Sequence, residues 1–177
     1  MKFKIFFIPI FLSFISLSCK KENVPNLDGC CNTPAIETSF GNAHVYVPNI
    51  FTPNDDGRND ELYIIGDSVS RIISFSVRDN QGDVVAEIAN INFQNFKAVW
   101  DGRVDGQITI GLYDISMILM SENGILQTLE GKVCNYPCER LPVSPIQNLQ
   151  LCQFPVQVIN GIFEPSIPSG EETSCFE

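Results

Sequence analysis

The sequence predicts an all-β protein, a two-sheet sandwich followed by a C-terminal extension held by disulfides. Three observations carry that prediction. Between residues 44 and 133, short runs rich in Val, Ile, Tyr and Phe alternate apolar with polar side chains, separated by Gly- and Asx-rich turns. No stretch of helical period occurs in that span. Residues 134–177 then gather Pro137, Pro142, Pro145, Pro155, Pro165 and Pro168 with four cysteines, too many prolines for central strands and too many cysteines for a free linker.

The chain opens on a targeting segment. Lys2 and Lys4 precede an apolar run over residues 5–15 that is too short to span a bilayer permanently, so residues 1–18 read as a cleaved leader. Cys19 follows the small Ser18 and resembles the lipid-modified cysteine of a bacterial lipobox, although Leu17 stands one step closer to it than is usual. That resemblance implies acylation of Cys19 and anchorage by buried acyl chains, at about 0.8 kcal/mol per methylene. An ordinary secretory signal cut near Ser18 is the alternative. Residues 19–43, with Pro25, Asp28-Gly29, Asn32-Thr33-Pro34 and Gly41-Asn42, read as a tether.

The domain at residues 44–133 is organised around its first stretch. Val45-Tyr46-Val47 and Leu62-Tyr63-Ile64-Ile65 are β-prone and flank an acidic loop centred on Gly57. Short Asx side chains bond to nearby backbone there and stop either regular structure from continuing. Next, Ile73, Phe75 and Val77 alternate with Ser74, Ser76 and Arg78, which assigns the first set to the core face. Asp79-Asn80-Gln81-Gly82-Asp83 turns this strand into Val84-Val85-Ala86-Glu87-Ile88 as a hairpin. Residues 89–98 are less regular and lead to Trp100, just before a tight turn. A long strand over residues 112–120 and its return over 125–133 complete the domain. In the extension, only residues 150–163 look able to add a strand or two.

Composition limits the function classes. A hydrophobic share of 44% supports a packed core. With 11 basic and 21 acidic residues the net charge is -10, and loss of Lys2 and Lys4 with the leader deepens it by two. Nucleic acid is not an expected partner, because phosphate binding needs clustered Lys and Arg. Cys30, Cys31, Cys134, Cys138, Cys152 and Cys175 form an even set suited to an oxidising compartment, with about fifteen pairings open. Adjacent Cys30 and Cys31 are expected to reach different partners, and at least one bridge is expected to tie the N-terminal segment to the tail. A zinc site at Cys134 and Cys138 is disfavoured without a nearby His.

Asn54, Asp55, Asp56, Asn59 and Asp60 offer hard oxygen ligands within one turn, and Gly57 permits a sharp bend, so calcium is a candidate there. The spacing departs from the EF-hand loop, and an Asx-rich turn whose side chains cap backbone amides is the favoured reading. No other cofactor is expected. No catalytic residue is assigned either: His44 is the only histidine, and Asp101 and Asp105 flank a turn that Trp100-Asp101-Gly102 explains structurally, with indole in the core. Tyr46, Tyr63, Phe93 and Phe96 could stack on sugars if they line a sheet face, although such residues more often fill a core.

Four motifs in order resemble one known family. They are Val47-Pro48-Asn49-Ile50-Phe51-Thr52-Pro53-Asn54-Asp55-Asp56-Gly57-Arg58-Asn59-Asp60, then Phe75-Ser76-Val77-Arg78-Asp79-Asn80-Gln81-Gly82-Asp83-Val84-Val85, then Trp100-Asp101-Gly102, then Gly111-Leu112-Tyr113. Together they resemble the gliding motility-associated C-terminal domain, the type B sorting domain of the type IX secretion system of Bacteroidetes. The resemblance implies an immunoglobulin-like sandwich that directs passage across the outer membrane. The hairpin turn departs from the family, which usually carries an aromatic before its Gly where this chain has Gln81. Lys20-Lys21-Glu22-Asn23 looks like the start of many lipoproteins of that group. The chain is therefore expected to be a non-enzymatic outer-membrane lipoprotein, at the cell surface or facing the periplasm. Its expected partners are the membrane, through a lipid anchor, and a protein of the secretion or surface machinery. The alternatives are a carbohydrate-binding surface module and a secreted protein with a type IX sorting domain.

Overall fold

The alternation resolves into strands in a computed structural model that describes residues 27, 29–137, 146, 149–159 and 162–170. The segment read as a leader, Cys19, Cys138 and Cys175 lie outside the described residues. In chain order the strands are β1 (Ile36–Phe40), β2 (Ala43–Val47), β3 (Ile50–Phe51), β4 (Leu62–Asp67), β5 (Val69–Arg78), β6 (Val84–Asn92) and β7 (Phe96–Trp100). They continue as β8 (Arg103–Val104), β9 (Gln107–Ile108), β10 (Gly111–Ser121), β11 (Leu126–Asn135), β12 (Val158–Ile159) and β13 (Ile162–Phe163). Single 3-10 turns at Leu149–Leu151 and Pro155–Gln157 mark the extension.

One sheet has the order β1-β2-β4-β7 and the other β3-β11-β10-β5-β6, while β8-β9 and β12-β13 are small ribbons. The two large sheets close face to face as an immunoglobulin-like sandwich. Val45, Val47, Leu62 and Ile64 of the first sheet share one core with Phe75, Val77, Ile115, Met117 and Leu119 of the second. Each such side chain contributes about 1.5–3 kcal/mol by leaving water. Trp100 sits in this core as expected, edge-on to Phe51 at 5.4 Å and to Tyr113 at 4.8 Å. Its indole N–H donates to the Arg103 carbonyl at 3.2 Å, and Asp101 Oδ1 accepts the Arg103 N–H at 3.1 Å, capping the turn. Gly102 is required there, since its φ is +75° and a Cβ would meet Asn135 Nδ2 at 2.8 Å.

Three local expectations change. The segment read as a tether supplies β1, because Gly41 takes a φ of +57° and folds Ile36–Phe40 back onto β2 in a tight hairpin. On β5, Ser74 pairs with Ile118 but Ile72 pairs with Leu119, which leaves Ile73 as the extra residue of a bulge. Ile72 is therefore buried in place of the expected Ile73. The irregular stretch at residues 89–98 is mostly strand, interrupted only between Asn92 and Phe96.

A second, smaller core lies outside the sandwich. Leu27, Cys30, Cys31, Ile50, Cys134, Tyr136, Ile146, Cys152 and Phe154 pack together around two disulfides, Cys30–Cys134 and Cys31–Cys152. The adjacent cysteines do reach different partners, and both bridges leave the N-terminal segment. Cys134 lies on β11, and Cys152 lies in the extension, so the extension is held covalently.

Candidate functional site

The acidic loop after β3 is a hydrogen-bonded turn. Asp60 Oδ1 accepts the backbone N–H groups of Asn54 at 3.0 Å and Asp55 at 2.8 Å, and its Oδ2 accepts that of Gly57 at 2.7 Å. Asp56 Oδ1 accepts the Arg58 N–H at 2.8 Å, while Asn54 Oδ1 accepts the Asp56 N–H at 3.2 Å. Asp55 pairs with Arg103 at 3.1 Å. These oxygens are thus engaged by amides and one guanidinium in the capping manner expected of Asx side chains. Among the described residues, no three His, Cys, Asp or Glu side chains gather at metal-binding spacing.

The loop has a role that its composition does not reveal, because it holds the extension. Asn59 Nδ2 donates to the Ser169 carbonyl at 2.8 Å, its Oδ1 accepts the Val156 N–H at 3.0 Å, and Arg58 donates to the Gly170 carbonyl at 3.1 Å. Asn49, only 2% exposed, does the same nearer the strands. Its Nδ2 donates to the carbonyls of Thr33 and Leu151, both at 3.0 Å, and its Oδ1 accepts the Gln153 N–H at 2.8 Å. Asn59, which a sequence reading offers as a calcium ligand, and Asn49, to which it assigns no role, are therefore the polar clasps between domain and tail.

The extension crosses the outer face of the β1-β2-β4-β7 sheet. Phe163 stacks on Tyr46 at 6.3 Å, and Tyr46 donates its hydroxyl to Gln153 Oε1. Burial, with Glu37 nearby, raises the Tyr46 pKa well above its ordinary value. Tyr46 is thus covered, and Phe93 is buried in the sandwich, so neither can stack on a sugar.

Tyr63 and Phe96 remain, on neighbouring strands with ring centroids 6.1 Å apart. They line a groove of about 770 Å³ together with Ile65, Asp67 and Asn95 on the sheet side and Pro155, Val156 and Val158 on the extension side. Burial, and then a 2.7 Å hydrogen bond to Glu61, push the Tyr63 hydroxyl up to about 12. This groove is the site that sequence reasoning only half found. The aromatics were visible, but the wall formed by the extension was not.

The remaining candidates are spread apart. The β1–β2 hairpin brings Ser39 opposite His44, with Oγ 3.0 Å from Nδ1, and leaves Glu37 Oε1 3.8 Å from Nε2. This pairing is invisible to a sequence reading that takes residues 19–43 as a tether and leaves residues 37 and 39 without strand partners. The second distance exceeds a hydrogen bond, and the group lies on the outer sheet face. Asp101 and Asp105 are exposed beside their turn. Cys134 is spent on Cys30, which removes one thiol from the zinc alternative.

All four motifs that carried the family resemblance fall within the sandwich, the first on its β2–β3 opening and the last on β10. Residues 45–128 match the family model of the CHU_C type IX secretion signal domain. The CHU_C segment begins on β2 and ends within β11, so β1, both disulfides and the extension lie wholly or partly outside it. The match supports a role tied to type IX secretion and, with it, a secreted or cell-surface protein. No curated protein matches the chain. Among solved structures it is similar to the crystal structure of CopC from Methylosinus trichosporium OB3b, at 13% identity and a TM-score of 0.36, covering 62% of this chain and 98% of that one.

Proposed function

We propose that this chain is a non-enzymatic lipoprotein of the outer membrane, anchored through Cys19, whose CHU_C sandwich makes protein contacts in type IX secretion, gliding or adhesion. What supports the reading is the CHU_C match, placed behind an N-terminal stretch whose Lys2, Lys4, apolar run and Ser18-Cys19 read as a lipoprotein leader. Two further features agree with it. The disulfides suit an oxidising compartment, and Glu37 Oε1 stands 3.8 Å from His44 Nε2, beyond hydrogen-bond distance, although Ser39 and His44 are cross-strand neighbours in contact.

The test is metabolic labelling with palmitate, followed by protease shaving of intact cells. A labelled band that depends on Cys19 is expected. Its loss on shaving assigns the cell surface, and its survival assigns the periplasmic face. An unlabelled protein released to the medium only by cells with a working type IX system would replace this reading with that of a secreted sorting-domain protein.

A further inference from the structure

The groove between sheet and extension has a chemistry that export and anchoring leave unused. Phe96 is 65% exposed, a large apolar ring held in the open beside Tyr63. Its position is set by backbone. Asn95 takes a left-handed conformation with a φ of +53°, and its carbonyl accepts the Gly66 N–H at 2.7 Å, which fixes the turn immediately before Phe96. The two rings are tilted by 57° and form a bent apolar platform, with Ile65 beside them and Val156 and Val158 opposite. On the same groove lie Asp67 and Asn95, both exposed, and among the described residues neither side chain is engaged in a hydrogen bond or ion pair. Its volume of about 770 Å³ falls in the size range of small-ligand sites, about 300–1,000 Å³.

The occupant must match rings and hydrogen-bonding groups together. Arg58 also lines the groove, but its guanidinium is turned to the Gly170 carbonyl at 3.1 Å, and a phosphorylated or sulfated ligand meets Asp67 and a chain of net charge -10. An acyl chain or other purely aliphatic ligand would strip water from Asp67 and Asn95 without replacing it, which is unfavourable for both groups. A neutral sugar ring satisfies both demands: its C–H face lies on the aromatic platform, and its hydroxyls donate to the carboxylate and exchange hydrogen bonds with the amide. We propose that the groove binds a neutral oligosaccharide, with Phe96 and Tyr63 as the stacking platform and Asp67 and Asn95 as the hydroxyl-binding pair. This adds a ligand to the protein and does not rest on the lipoprotein reading.

The test is calorimetric titration of the full chain, kept in a detergent without a sugar headgroup, with cellohexaose, xylohexaose, mannohexaose and laminarihexaose. At least one sugar is expected to bind with one-to-one stoichiometry. Phe96→Ala is expected to weaken that binding about 10-fold, and Asp67→Asn several-fold, with both melting temperatures unchanged because the two side chains are exposed. No heat from any of the four at millimolar concentration, or binding that neither substitution alters, would overturn the proposal. So would binding of an uncharged Leu/Thr hexapeptide with the same dependence on Phe96, which would assign the groove to a protein contact. None of these outcomes bears on palmitate labelling.

Discussion

The molecule holds two cores built by different physics. The sandwich core contains no cysteine and takes its residues at period two from strands whose ladders fix every neighbour: Tyr113, Ile115, Met117 and Leu119 all come from β10. The second core takes Leu27, Ile50, Tyr136, Ile146 and Phe154 from separate stretches with no shared period, and four of its nine buried members are cysteines. Its bridges join residues 104 and 121 positions apart. Where alternation supplies register, burial alone brings the side chains together. Where the chain is irregular, the cost of gathering distant segments has to be met by covalent ties and clasps such as Asn49.

The largest test of this contrast is to cut each core in turn. Phe75→Ala, in the centre of the sandwich, is expected to cost about 3–5 kcal/mol and to lower one cooperative denaturant midpoint for the whole protein. A change smaller than that of an exposed site would mean that the sandwich does not dominate stability. Replacing Cys31 and Cys152 together by Ser is expected to cost about 2–4 kcal/mol. Here the location of the loss matters more than its size. Amide exchange should accelerate at Gln157 and Glu164 in the extension while Ile115 and Met117 stay protected; uniform acceleration would mean that the two cores unfold as one.

Smaller changes sharpen the comparison. Asn49→Ala removes hydrogen bonds to both the N-terminal segment and the tail and should cost about 2 kcal/mol. It should also raise susceptibility to limited proteolysis in the extension before the sandwich is cut, and cleavage in the opposite order would contradict its role as a clasp. The smallest effect is a dependence on pH. Tyr46 and Tyr63 have folded pKa values raised above the ordinary tyrosine value of about 10. Unfolded tyrosine therefore ionises first, and the stability present below about pH 10 is lost as pH rises toward the folded values. Thermal melts between pH 9 and about 12 should show this decline, with a shallower slope in Tyr46→Phe. An identical slope would mean that covering by the extension does not set the Tyr46 environment.

The fold was largely legible in the sequence, and the candidate site only in part. Alternation at Phe75 and Val77, the Gly82 turn, the core position of Trp100 and the capping use of the acidic loop are local properties, readable from side-chain period and Asx chemistry. Ile73 was misassigned because a bulge depends on the partner strand and leaves no mark in its own residues. β1 was missed because a five-residue strand beside a Gly-Asn turn resembles a loop until β2 pairs with it. The groove needed the extension to cross the outer sheet face, a contact between residues about 100 positions apart.

The sequence by itself determined that this protein is a β-sandwich whose motifs resemble a known family, with cysteines set on either side. Period, turn chemistry and composition act over a few residues, so they survive in one dimension. Only the tertiary structure decided which cysteines join, that Asn49 and Asn59 clasp the extension, and that Tyr63 and Phe96 stay open while Tyr46 is covered. Those outcomes depend on which distant surfaces meet, and closing a long loop leaves no periodic trace in the chain it closes.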